Sequence, residues 1–381
     1  MQKQKIYWFV QQLHNIGGTE MVTIQIINML SKDYDIHLMV LSEKAGEPLY
    51  KTNPEVEITY LGVPKECCQF DKNFYSLAGD GHIFKAIGLF FRTIHIFTFG
   101  SRKYKKIIDK MTSKEDILIM SSEELFLFAP KDRFVYKHFH YNSKLYKLPM
   151  SRFIRFFARK PNFTIYLSNS TMKALNPKNK NCTYIYNPTR FSRVLNEDYH
   201  NNNLIFVGRF ELQKDPMFLL KAMKEADELK LDYKLTIYGN GSLRKEMDKY
   251  IKDNHLNKIT IIDNCFDLKP HYLESDLLLS TSVYEGFPLV TIEANSLSCP
   301  ALWLDIKDPT EDMIIPGLNG YVVYKRSPKV YAQKLKEILD DKEHLISMKK
   351  ASYDFSEKYL ESKVYGKWRT LFDSHKERIK K

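Results

Sequence analysis

The residues best suited to chemistry lie in residues 284–294, YEGFPLVTIEA, where Glu285 and Glu293 stand eight positions apart. On one continuous helix their side chains would lie about 80° apart, because each residue advances about 100°. Gly286 and Pro288 argue instead for a helix that begins at Pro288–Leu289, with Glu285 in the loop before it and Glu293 in its second turn. Two carboxylates at different depths, beside helix-start amides and the positive end of the helix dipole, suit a polyhydroxylated ligand carrying a diphosphate. A solvated loop Glu and a capping Glu would give the same spacing.

Residues 208–216, GRFELQKDP, add Arg209 and Lys214, two cations of the kind that hold a diphosphate. The Gly-x-Gly turn in residues 238–242 allows close backbone approach at Gly239. In the first half, Gly17 and Gly18 either bring amides to a phosphate or sugar, or form a tight turn with Thr19 as helix cap. His138 and His140, with Asn142, follow a strand expected over residues 134–137. No His/Cys/Asp cluster has metal-ligand spacing, and neither G-x-S-x-G nor G-x-x-x-x-G-K-[ST] occurs.

The elements that must position these residues read as two βα series. The first has strands over residues 5–11, 36–41, 57–61, 117–120, 134–137, 164–168 and 183–186, with a helix over 20–30. Asn187-Pro188 breaks the pattern, and residues 196–203, NEDYHNNN, have a linker-like composition. The second series places strands at 204–207, 234–238, 259–262, 277–280 and 301–304 and helices at 216–228, 243–254, 271–274 and 289–296. Helices over 330–340 and 362–378 close the chain. The expected fold is α/β, with two doubly wound Rossmann-like domains, 1–188 and 189–361, and a cleft between them.

With 381 residues, 44% hydrophobic and 13% aromatic, the chain is neither disordered nor low in complexity. Its net charge of +12 falls entirely in residues 1–190, which hold 28 Lys and Arg against 16 Asp and Glu. That half therefore faces something anionic: nucleic acid, a membrane surface or an acidic substrate. Five cysteines without a CxxC pair suggest a reduced, cytosolic compartment, and the N-terminal run is not read as a signal peptide. The apolar stretch 83–99 is broken by Lys85, Arg92 and His95 and makes a poor spanning helix. Residues 84–106, and 151–160 with Arg152, Arg155 and Arg159, mix aromatics and bases as interfacial helices on anionic lipid do. An ordinary core with a solvated basic face has the same composition.

Four segments, LIFVGRFELQKDP, LTIYGNGSLRKEM, SVYEGFPLVTIEA and IIPGLNGYVV, span most of residues 184–325 and together resemble the family 4 glycosyltransferases. These are retaining nucleotide-sugar enzymes of the two-Rossmann GT-B fold. Asn187-Pro188 is similar to the family's interdomain connection, while IGGTE and FVYKHFHYN match more loosely. The tone is similar to transferases that build bacterial capsule, exopolysaccharide or teichoic-type polymers on a lipid carrier.

The resemblance implies that Arg209 and Lys214 hold the donor diphosphate and that Glu285 binds hydroxyls of the transferred sugar. Gly239, Gly286, Phe287, Pro288 and Leu289 join the donor site, the amides of Phe287 to Val290 contacting sugar and phosphate. Glu293 accepts from the ribose, and Gly17 and Gly18 face the phosphates from the opposite domain. His138 aligns best with the family's cleft histidine, with His140 in reserve, so the catalytic set is Glu285, His138, Arg209 and Lys214. No metal, cofactor or catalytic base is implied, since the donor phosphate itself takes the acceptor's proton. The donor is expected to be a UDP-sugar rather than a GDP-sugar, and the acceptor lipid-linked or an oligosaccharide. The chain is expected to be cytoplasmic, peripheral on the inner face of the cell membrane, with no nucleic acid partner. The final helix, 362–378, is expected to cross back onto the first domain. Two other functions compete: nucleic-acid binding through the basic face of 101–190, which lacks the usual signatures, and a nucleotide-sugar epimerase of the same fold.

Overall fold

A computed structural model describes residues 3–13, 17–68, 70–140, 158–178, 180–263, 265, 267–307 and 309–380. The chain forms two compact units: unit 1 is Met1–Leu167, Leu175–Pro188 and Val364–Lys381, and unit 2 is Ser168–Ala174 and Thr189–Lys363.

In unit 1, short Val/Ile/Leu/aromatic runs make a parallel sheet whose inner strands are buried on both faces, as such runs are when helices cover both sides. Its strands are β1 (Lys5–Val10), β2 (Asp35–Ser42), β3 (Glu57–Val63), β4 (Ile117–Met120), β5 (Val135–Phe139), β6 (Phe163–Tyr166) and β7 (Cys182–Tyr184). Their order is β3-β2-β1-β4-β5-β6-β7, each neighbouring pair parallel. The order turns between β1 and β4, the switch point outside which open α/β sheets bind ligands.

Alternation along β1 decides the layers. Tyr7 and Phe9 join Met39, Leu118, Met120, Phe126 and Phe128 in one core cluster. Trp8 points to the other face, where its ring lies 5.2 Å from Trp368 and its indole N–H donates to Ser121 Oγ at 3.0 Å. Trp368 belongs to the helix Glu361–Asp373, which buries Val364, Trp368, Leu371 and Phe372 at helical spacing. The expected single helix over 362–378 is two, the second being His375–Arg378.

Two further expectations for this unit shift. The first helix begins at Gly18 rather than Glu20. β5 runs to Phe139, so His138 lies within the strand instead of after it. Lys137 reads as a polar strand end but is buried in an ion pair with Glu123, which lets the strand continue. Asn142, Arg152 and Arg155 lie outside the described residues. Arg159 ties loops together, its Nη2 donating to the Arg133 carbonyl at 2.7 Å and to Asn162 Oδ1 at 3.0 Å.

Burial also sets an acid sensitivity. It holds His375, paired with the Tyr136 hydroxyl, down to about 4, and pushes His138 well below the ordinary histidine value, with His140 adding to that. An unfolded chain protonates histidine near pH 6.5, so between about 6.5 and 4 the unfolded state binds protons the folded state refuses. The stability of unit 1 is therefore complete above about pH 6.5 and falls on acidification, by up to about 1.4 kcal/mol per pH unit for each such histidine. Denaturation followed by Trp8 and Trp368 fluorescence should show the midpoint dropping between pH 7 and pH 5, and His375→Gln should flatten that slope. A midpoint independent of pH would contradict the assignment.

Unit 2 carries β8 (Asn203–Val207), β9 (Lys234–Tyr238), β10 (Ile259–Ile262), β11 (Leu277–Ser280), β12 (Ala301–Leu304) and β13 (Gly320–Val323). The order is β10-β9-β8-β11-β12-β13, again parallel throughout, with the switch point between β8 and β11. Its core gathers Leu204, Phe206, Leu219, Met223, Leu235, Tyr331 and Leu335 from the central strands and the helices Pro216–Glu228 and Pro328–Asp340. Residues 196–203 are fastened to this unit rather than acting as a linker. The buried Asp276 carboxylate accepts the His200 and Asn203 amides and pairs with Lys349, while the Asn196 side chain donates to the Leu273 carbonyl.

Candidate active site

The loops leaving β8 and β11 meet at the switch point of unit 2, and local sequence fixes the shape of each. After β8, residues 208–215 end at Asp215, whose left-handed backbone (φ 45°) turns the chain into the helix Pro216–Glu228. Its carboxylate caps that helix by accepting from the Phe218 amide at 3.0 Å, and Pro216 opens the first turn. Lys214 is thereby held at the last loop position. The loop is braced from β9's turn, where the Phe210 amide donates to the Asn240 carbonyl at 2.7 Å and Ser242 Oγ to Glu211 Oε2 at 2.7 Å. Gly239 makes that contact possible: with φ near 149°, a Cβ there would lie 1.9 Å from the Gly208 carbonyl oxygen.

After β11, residues 281–288 lead to the helix Leu289–Ser296, which starts where the sequence places it. The two loops are tied by backbone and side chain. The Val283 amide donates to the Gln213 carbonyl at 2.8 Å, and Thr281 Oγ1 donates to the carbonyls of Lys214 and Asp215, each at 3.0 Å. Across this seam Lys214 Nζ lies 2.6 Å from Glu285 Oε1. Ser282 Oγ donates to the same carboxylate at 2.7 Å, and Gln213 Nε2 approaches Oε2 at 3.4 Å. Glu285 is 6% exposed, so its charge is fixed in place before any ligand arrives.

The other predicted residues fall around this pair. Arg209 is exposed, and its Nη2 donates to Gln213 Oε1 at 2.8 Å, so one glutamine orients both Arg209 and Glu285. Gly286 follows directly. Phe287 turns its ring into the unit, 5.9 Å from Tyr359, leaving only its backbone to serve a ligand. No side chain caps the helix at Pro288–Leu289. Glu293 is 3% exposed and already engaged, with Arg190 Nε 2.8 Å from Oε1 and the Tyr272 hydroxyl donating to Oε2 at 3.3 Å. Burial raises its carboxyl above the usual range, against the opposing pull of Arg190 and, more weakly, of Lys214. Lys214 is therefore felt by both carboxylates.

Arg326, just past β13, was not singled out from the sequence. Its Nη2 donates to Asp215 Oδ2 at 2.6 Å and to the Thr281 carbonyl at 3.1 Å, and its guanidinium lies 5.1 Å from the Phe218 ring centroid. It thus clamps the two loops that carry Lys214 and Glu285. Arg190, Tyr272 and Gln213 were missed as well. Gln213, inside the quoted GRFELQKDP segment, and Arg190, two residues past Asn187-Pro188, carried a sequence signal.

In unit 1, Gly17 and Gly18 stand at the start of the helix Gly18–Ser31 after β1, with no side-chain cap at Gly17. His138 is buried, edge-on to Trp8 and Trp368 at 5.5 and 5.3 Å. Its Nδ1 lies 3.0 Å from Nε2 of His140, which is partly exposed beyond the strand end. Of the two, His140 is the better placed to meet a ligand. Among the described residues, no group of three or more His, Cys, Asp or Glu is placed to hold a metal ion.

Residues 189–355 match the family model described as glycosyl transferases group 1. The Campylobacter jejuni GalNAc-alpha-(1->4)-GalNAc-alpha-(1->3)-diNAcBac-PP-undecaprenol alpha-1,4-N-acetyl-D-galactosaminyltransferase is 26% identical over 346 residues, 88% of this chain and 89% of its own. The amylovoran biosynthesis glycosyltransferase AmsD of Erwinia amylovora is 24% identical over 97% of this chain and 99% of its own. Staphylococcus aureus TarM, crystallised as a mutant with fondaparinux, alpha-GlcNAc-glycerol and UDP, superimposes with a TM-score of 0.74 at 16% identity, over 97% of this chain and all of that one.

Proposed function

We propose that the chain is a GT4-like, retaining bacterial surface-polysaccharide glycosyltransferase of GT-B fold, whose unit 2 binds a UDP-sugar and passes its sugar to a lipid-linked or oligosaccharide acceptor. The observation that carries this reading is the Lys214–Glu285 pair at the β8/β11 switch point.

A glycosyl transition state is oxocarbenium-like while negative charge gathers on the departing diphosphate. Lys214 and Arg209 meet that charge, together with the amides of Phe287, Leu289 and Val290 at the helix start. Glu285, held by Ser282, Gln213 and Lys214, accepts from hydroxyls of the transferred sugar. Glu293 receives the ribose, its carboxylate oriented by Arg190 and Tyr272. Gly239 lets the donor lie close to the backbone. Gly17 and Gly18 offer amides to the phosphates, and His140, backed by His138, approaches the sugar. No protein base is needed where a donor phosphate oxygen takes the acceptor's proton. The site of action is the inner face of the cell membrane, where a lipid-linked acceptor would be presented.

The test is a thermal-shift screen of UDP- and GDP-sugars, since a site ligand stabilises the folded state by mass action. A UDP-sugar should raise the melting temperature and a GDP-sugar should not; silence across the panel would contradict the reading. Arg326 gives a second check. Arg326→Ala should lower turnover about tenfold or more, because hydrogen bonds to charged groups contribute about 1.5–3 kcal/mol. Arg326→Lys should recover only part of that, as an ammonium cannot fork between Asp215 and Thr281. A full recovery by Lys, or a loss seen only as a lower melting temperature, would count against a positioning role.

A further inference from the structure

The helix Ile83–Thr98 presents apolar residues on two opposite faces. One face packs inward: Ala86, Leu89 and Thr93 are buried, and Leu89 joins the core of unit 1 with Ile96 and Phe97 against it. The other is open. Phe84 is 91% exposed, Phe91 65%, and Phe99, just past the helix end, 69%, with Ile83 and Ile87 exposed alongside. Positions 84, 87 and 91 recur at helical spacing, so their side chains form one stripe. Such a contiguous exposed apolar patch marks an interaction surface.

What the stripe meets is set by charge. Residues 81–108 contain six Lys and Arg and no Asp or Glu. Lys85 and Arg92 flank the stripe, and the following helix, Ser101–Met111, exposes Arg102, Lys103, Lys106 and Lys110. Its single acid, Asp109, is drawn off by Arg133 at 2.9 Å. By length and composition alone, residues 83–111 could cross a membrane. The inward face is anchored in a protein core, however, which suits a helix lying along a bilayer rather than through it.

We infer that the exposed stripe Phe84–Ile87–Phe91, with Phe99, docks unit 1 onto an anionic lipid bilayer, the aromatic rings entering the interface while Lys85, Arg92, Arg102, Lys103, Lys106 and Lys110 meet the headgroups. This deepens the transferase reading and rests on it for its purpose, since a lipid-linked acceptor is presented at such a surface.

The test is co-sedimentation of the full chain with vesicles of phosphatidylcholine, alone or with phosphatidylglycerol. Binding should require the anionic lipid and weaken with added salt. The variant Phe84→Ser/Phe91→Ser/Phe99→Ser should lose at least tenfold in vesicle affinity, and so should Arg102→Glu/Lys106→Glu/Lys110→Glu. Both should keep wild-type melting and wild-type release of UDP from the donor in solution. The inference is overturned if the wild type ignores anionic vesicles, if the serine variant binds as well as wild type, or if the stripe instead drives self-association that this variant abolishes. In each case persisting UDP release would leave the transferase reading standing. Vesicle binding without UDP release from any donor would overturn that reading and uphold the docking surface.

Discussion

Lys214→Met is expected to lower donor turnover by about 10²–10³-fold, the scale found when one preorganised group facing developing charge is removed. Lys214 does not wander in solvent. Its loop is fixed by the Asp215 cap, by the Thr281 hydroxyl and by the backbone of the β9 turn, and its ammonium is 2.6 Å from Glu285. Such a charge loses little on reorganising when the diphosphate departs. Glu285→Gln should cost a similar factor, because it would remove the proposed sugar contact and leave Lys214 without its partner. The double variant should be little worse than the worse single one, since both act through one unit. Arg209 is exposed, so Arg209→Ala should cost less than either. Steady-state UDP release at saturating donor, with melting curves as a folding control, checks all four. Additive losses in the double variant would show that the pair does not act together.

Trp368→Ala is expected to destabilise unit 1 by about 3–5 kcal/mol, the range for truncating a large buried aromatic. Its ring is fully buried against Trp8, His138 and Phe372, so neighbours on three sides lose contact at once. Because Trp303 is in unit 2 and Trp8 in unit 1, denaturation read by single-tryptophan variants separates the units. The transition reported by Trp8 should move and that reported by Trp303 should hold. Equal movement of both would mean that the helix Glu361–Asp373 supports the units jointly.

Much of unit 2 was legible because its signals are local. Asp215-Pro216 caps and opens a helix within four residues, and residues 216–228 and 289–296 form the helices their spacing predicts. The pairing of Lys214 with Glu285 was not legible, since it depends on β8 and β11 lying side by side, which no local pattern states. Arg326 escaped for the same reason: its partners are 45 and 111 positions away. β5 was cut short because Lys137 looks like a strand end until Glu123 is brought against it. The polar run 196–203 looks like a linker until the buried Asp276 collects its amides. In the last two cases a polar stretch reads as a strand end or a linker until a distant partner satisfies it. The Glu285 and Glu293 assignments rest on their motif, and the structure adds partners that orient both.

Cleavage of a nucleotide-sugar donor at the β8/β11 seam of unit 2 can be measured in the absence of any added acceptor. Its most direct test is UDP release by the purified chain across a panel of UDP-sugars, with water as the acceptor, comparing wild type with Lys214→Met. Slow release from at least one donor is expected, reduced by about 10²–10³-fold in the variant. Release from no donor, or equal release by the two proteins, would contradict it.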